Sequence, residues 1–148
     1  MKDSYPPQPP TILLVEDNPG DVRLTREAFE RSTFDATIEC VKNGDETLSY
    51  LDGCGDSRPY PQLLLLDLNL PKTDGFAVLE ELRRNDERPR IPVLVLTSSN
   101  ADEDVLRSYE LSANAYLTKP DCPEEFIEMV ETIESFWFEE VHLPPPPP

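Results

Sequence analysis

The sequence predicts an α/β fold: a five-stranded, doubly wound parallel sheet in the order 2-1-3-4-5, with helices on both faces. Strand-like and helix-like segments alternate five times along the chain. The central strand segment, "QLLLLD", is apolar at every position from Leu63 to Leu66, as strands covered on both faces of a parallel sheet are. Parallel neighbours need right-handed crossovers, and the intervening helices supply them on the two faces.

Each unit carries its own signals. "TILLVED" is a β-branched and leucine run, followed by "GDVRLTREAFERS" with Val22, Leu24, Ala28 and Phe29 at near-helical spacing. "ATIECV" is a short strand and "GDETLSYL" a short helix. "QLLLLD" leads into "GFAVLEELRR", where Phe76, Leu79 and Leu82 mark one face. "IPVLVLTS" leads into "DEDVLRSYEL", and "NAYLTKP" into "EEFIEMVETIESFWFEE". Residues 1–10 and 142–148 are proline-rich tails, which favour extended spacer or a ligand for an SH3 or WW type groove. Residues 11–141 form the one domain expected of a chain of 148 residues.

Composition narrows the function. Thirty acidic against thirteen basic side chains give a net charge of −17, which disfavours direct nucleic-acid binding and suits cations. Cys40, Cys54 and Cys122 are odd in number, form no C-x-x-C pair and follow no signal-like N-terminus, so a reduced, cytoplasmic setting is expected. No apolar run reaches transmembrane length.

The predicted topology brings the strand ends to one edge. Glu16 and Asp17 end the first strand, Asp67 the third and Thr97 the fourth, while Lys119 follows the fifth. Ligands of open α/β sheets bind at that edge. Three carboxylates against one ammonium leave an excess negative charge that a divalent cation would cancel. Oxygen ligands and room for phosphate suit Mg²⁺. Asp67 could then be ligand and nucleophile at once, forming an aspartyl phosphate whose oxygens Lys119 neutralises and Thr97 hydrogen-bonds. Lys119 is expected in the open crevice.

"ILLVEDNPGD", "LLLLDLNLPKTDG", "VLVLTSS" and "AYLTKP" resemble, in order and spacing, the receiver domains of two-component response regulators, a flavodoxin-like (βα)5 fold. The proline-rich ends and "IESFWFE" are similar to the small cyanobacterial regulators that pair with phytochrome kinases. The resemblance implies that Asp67 accepts a phosphoryl group from a sensor histidine kinase or phosphotransfer protein. It implies Mg²⁺ held by Asp17 and Asp67, by Glu16 mainly through water, and by the backbone carbonyl of Asn69. Thr97 and Tyr116 would form the switch, Lys119 would bridge phosphoryl group and carboxylates, and the Lys119–Pro120 bond would be cis.

Plainer roles exist for single residues. Glu16 and Asp17 could cap the following helix, Thr97 and Tyr116 could be ordinary strand residues, and His142 a solvated one. Among other classes, a haloacid-dehalogenase type phosphatase would need an acid where Asn69 stands, and an amide cannot donate a proton in that way. A flavodoxin would need a phosphate loop where "EDNPGD" is acidic, and no P-loop motif occurs. A receiver-like scaffold working without phosphorylation is the remaining alternative. No room for an output domain is expected after Val141, so output should be a changed surface. In the last helix Phe126, Val130, Ile133 and Trp137 fall on the core face, while Met129, Phe136 and Phe138 lie partly outside it. Phe136 and Phe138 are the residues expected in a homodimer interface.

Overall fold

A computed structural model describes residues 9–32, 35–55, 58–70, 74–84 and 90–140. The strands are β1 (Thr11–Val15), β2 (Thr37–Val41), β3 (Leu63–Leu66), β4 (Val93–Thr97) and β5 (Ala115–Thr118). The helices are α1 (Pro19–Arg31), α2 (Gly44–Asp52), α3 (Gly75–Arg84), α4 (Asp102–Glu110) and α5 (Pro123–Glu134), and a π-helical turn, Ser135–Glu140, continues α5. The sheet is parallel throughout, in the order β2-β1-β3-β4-β5. Of the two tails only residues 9 and 10 are described; residues 1–8 and 142–148, His142 among them, lie outside the described residues, as does Pro71.

Alternation along the strands divides the core in two. Leu13, Val15, Leu64, Leu66, Val93 and Val95 pack with Phe76, Val78 and Leu79 of α3 and Leu51 of α2. Ile12, Leu14, Leu63, Leu65 and Leu94 pack with Ala28 and Phe29 of α1 and Phe126, Val130 and Ile133 of α5. The four leucines of β3 are fully buried because both faces are covered, which is why that strand shows no polar alternation. Truncating any one of them to Ala would cost about 2–5 kcal/mol.

Local chemistry sets the helix starts. Asn18 caps α1, its Oδ1 accepting the Asp21 N–H at 3.1 Å, and Pro19 opens the first turn. Asn43 caps α2 through the Glu46 N–H at 2.8 Å, while Glu46 reaches back to the Lys42 N–H at 3.0 Å. At α3 a glycine is required by space: a Cβ on Gly75 would lie 2.6 Å from the Asp67 carbonyl oxygen and 2.6 Å from Leu68 Cα. Helix α3 therefore begins pressed against the segment that carries Asp67.

The chain end departs from the expected single α-helix. In the π-helical turn the backbone bonds reach one residue further, which rotates the following side chains relative to an α-helical wheel. Trp137 and Phe138 both pack half-buried against the α1/α5 side of the core, and Met129 joins them. Phe138, expected partly outside the core face, packs half-buried on the core side, as Met129 does. Phe136 remains 50% exposed, its ring edge-to-face with Trp137 at 5.4 Å.

Candidate functional site

The ladder continues one residue past the strand ends and so fixes the site. The Glu16 N–H donates to the Val41 carbonyl at 3.0 Å, Asp67 N–H to Val15 at 3.0 Å, and Lys119 N–H to Thr97 at 2.8 Å. Register then does the rest. Val15 is level with Leu66, and Thr97 with Thr118, so Glu16, Asp67, Thr97 and Lys119 meet at the carboxyl edge as the sequence predicts.

Lys119 stands at the centre. Its Nζ pairs with Glu16 Oε1, with Asp21 Oδ2 at 2.7 Å and with Asp67 Oδ2 at 3.0 Å. Its side chain is only 8% exposed, which corrects the expectation of an open-crevice lysine: three surrounding carboxylates exclude water while replacing its hydration. Burial alone would pull the ammonium's pKa down, but the bonds to Asp21 and Glu16 and the charges of Glu16 and Asp67 outweigh it and push the pKa above the usual lysine range. Asp21 was not foreseen. It comes from the first turn of α1 rather than from a strand end, and the only sequence signal was its placement four residues after Asp17.

The carboxylates are unevenly exposed. Glu16 and Asp67 are buried, whereas Asp17 is exposed. Burial pushes the Glu16 carboxyl up to about 7; Lys119 opposes this, and the charge of Asp67 adds to it. Glu16 Oε2 also accepts the Asn18 N–H at 3.2 Å, and Asp67 Oδ1 the Asn69 N–H at 3.1 Å. One ligand atom from each of Glu16, Asp17 and Asp67 lies within 4.8 Å of the other two. Oxygen donors at that spacing, two of them buried against each other's charge, fit a hard divalent cation.

Thr97 is fully buried, and its Oγ1 accepts the Asn69 Nδ2–H at 3.4 Å. Tyr116 is half-buried against the α2/α3 side of the core. Its hydroxyl donates to the Ser99 carbonyl at 2.8 Å, while the Ser99 hydroxyl donates to Asp104 Oδ2 at 2.6 Å. Sequence reasoning missed Ser99 and Asp104, which brace the β4–α4 connection under Tyr116. No cis peptide occurs among the described residues, so Lys119–Pro120 is trans, correcting the cis expectation. The trans preference before proline is only about 0.5–1 kcal/mol, and the trans bond already lets both the Lys119 N–H and its ammonium reach their partners. Among the described residues no helix is long and apolar enough to cross a membrane.

A parallel (βα)5 sheet with this acidic edge, its buried threonine and its lysine defines a class, and comparison of the sequence with known families agrees. Residues 12–131 match the response regulator receiver domain; the chain belongs to that family, and is a two-component response regulator. It is 46% identical over 146 residues to the response regulator Rcp1 of Synechocystis sp., spanning 97% of this chain and 99% of that one. The Mn²⁺-bound structure of Rcp1 superposes with a TM-score of 0.82, covering 93% of this chain and all of the other. The phosphorylated cyanobacterial phytochrome response regulator RcpA, 40% identical, gives a TM-score of 0.85 over 93% of this chain and all of its own.

Proposed function

We propose that Asp67 is the phosphoacceptor and that the phosphoryl donor is a phosphohistidine of a sensor kinase, of the phytochrome class, or of a phosphotransfer protein. The observation that carries this reading is the convergence of a buried Asp67 with Glu16, Asp17 and the Lys119 ammonium. A carboxylate oxygen of Asp67 bonds to phosphorus as the bond from phosphorus to the donor imidazole breaks, its electron pair returning to the nitrogen. Glu16, Asp17, Asp67 and the Asn69 backbone carbonyl would hold Mg²⁺, which supplies charge neutralisation at the phosphoryl oxygens. Lys119 shares that neutralisation, Thr97 supplies a hydroxyl to the phosphoryl group, and Tyr116 carries the change to the surface. The chain catalyses its own phosphorylation and slow dephosphorylation and no other turnover.

Output in this reading is a changed surface in the cytoplasm, through a homodimer that includes Phe136, without direct nucleic-acid contact. Support comes from the exposure of Phe136 and from the net charge of −17. The test is incubation with Mg²⁺ and acetyl phosphate followed by intact mass. Wild type should gain one phosphoryl group and Asp67→Asn none; a phosphorylated Asp67→Asn would refute the assignment.

A further inference from the structure

The Lys119 ammonium has three N–H donors, and all three are committed: to Glu16, to Asp21 and to Asp67. Two of these acceptors sit at strand ends and belong to the group of carboxylates spaced for a cation; Asp21 does not. It stands in the first turn of α1, where its own N–H is tied to the Asn18 cap. Its distance to Nζ, 2.7 Å, is shorter than that of Asp67, 3.0 Å. A phosphoryl group on Asp67 brings new anionic oxygens to the ammonium. A divalent cation would draw charge from Glu16 and Asp67 and leave Asp21 untouched. Asp21 is then the acceptor that goes on competing for Lys119 once the site is loaded.

We propose that Asp21 is a positioning residue that shares the Lys119 ammonium with the phosphoryl group, and so shortens the life of the aspartyl phosphate. The inference rests on the assignment of Asp67 and Lys119 above. Asp21 holds one donor on the α1 side of the site, so Lys119 cannot turn all three toward the phosphoryl oxygens. A less tightly held phosphoryl group is more open to hydrolysis, in which water oxygen bonds to phosphorus and the Asp67 oxygen leaves as carboxylate. Neutralising Asp21 releases the third donor and holds the group more firmly.

The plain alternative is that Asp21 only complements the partial positive charge at the start of α1, as acidic first-turn residues do. The two roles separate in one experiment. Wild type, Asp21→Asn and Asp21→Glu are phosphorylated with acetyl phosphate and Mg²⁺, the donor is removed, and the phosphorylated fraction is followed by intact mass; thermal melting is recorded in parallel. Asp21→Asn should lengthen the half-life about threefold or more, the size expected when one partly exposed ion pair is removed, while Asp21→Glu, which keeps the anion, stays within about twofold of wild type. An Asp21→Asn half-life that is unchanged or shorter overturns the proposal. So does an equal lengthening in Asp21→Glu. A shift in melting temperature alone, with equal half-lives, assigns Asp21 to the helix start and also overturns it. Asp67→Asn runs alongside: if it carries the phosphoryl group, the site assignment has failed rather than the role of Asp21.

Discussion

At the carboxyl edge of the sheet one buried ammonium is shared by three carboxylates, whereas on the outer surface of α4 and the π-helical turn Leu106, Tyr109 and Phe136 stand 62%, 49% and 50% exposed. The first region is over-determined: strand register places Glu16, Asp67 and Lys119, the capped start of α1 places Asp21, and each charge depends on the others. The second is held loosely, because an exposed side chain owes its position to its own helix alone. Changes at the edge should therefore cost stability and chemistry together. Changes on the outer surface should alter association and leave the fold intact.

The largest effect is expected at Lys119. Lys119→Met leaves Glu16, Asp21 and Asp67 facing one another without a cation, and removing one partner of a buried ionic group costs about 3–5 kcal/mol. Urea unfolding of the chelator-treated variant should show that loss, and Mg²⁺ should restore part of it by replacing the missing charge. An unchanged midpoint would mean that the ammonium contributes to phosphoryl chemistry alone.

Glu16 supplies the pH test. Its pKa is about 4.5 when exposed and is raised to about 7 in the folded protein, so between these values the folded state holds a proton that the unfolded state has released. Stability of the metal-free protein should consequently fall as pH rises from about 4.5 to about 7, by on the order of 3 kcal/mol, and level off above. Other carboxylates contribute slopes of their own. The informative quantity is the difference between wild type and Glu16→Gln in urea unfolding at pH 5 and pH 7 with chelator. Equal slopes would show that Glu16 ionises normally.

Phe136 and Phe138, expected together at an interface, should now behave differently. Phe136→Ala should weaken self-association, since a large aromatic buried at an interface is worth about 1.5–3 kcal/mol, and should leave phosphorylation and melting unchanged. Phe138→Ala should instead lower the melting temperature. Sedimentation with and without phosphodonor decides the first point, and a wild type that stays monomeric at high concentration in both states would exclude Phe136 from any dimer.

This contrast also explains what could be read from the sequence. Strand ends were legible because a parallel ladder has a fixed register: once "QLLLLD" is a buried strand, Asp67 must lie level with the residues after β1 and beside β4. Asp21 was not, because no strand carries it; it reaches Lys119 from the first turn of α1. In "FWF", Trp137 packs on the core and Phe136 stays exposed as the sequence suggests; only the extent to which Phe138 turns inward was not legible, for another reason. A wheel of 3.6 residues per turn assumes α-helical bonding, and the change to π-helical bonding at Ser135 moves Phe138 onto the core. The brace from Ser99 to Asp104 in the first turn of α4 spans a connection whose geometry no periodicity encodes.

The smallest expected effect probes the link between the two regions. Tyr116 lies on β5 beside the strand that carries Thr97, level with Val95 and two residues before Thr118, the partner of Thr97, and its hydroxyl is tied to the Ser99 carbonyl on the way to α4. Tyr116→Phe removes that bond while keeping the ring against the core, a loss of about 0.5–1.5 kcal/mol in stability. Phosphorylation of Asp67 should proceed at the wild-type rate, because the hydroxyl touches none of the carboxylates or Lys119. Its readout should not. If the bond holds the β4–α4 connection in the arrangement that a phosphorylated site selects, the variant will take up the phosphoryl group yet show a smaller phosphorylation-dependent change in hydrogen exchange along α4. The same exchange difference in Tyr116→Phe as in wild type would show that the connection follows the site without the tyrosine hydroxyl, and would leave Thr97 and the Ser99–Asp104 brace as the coupling elements.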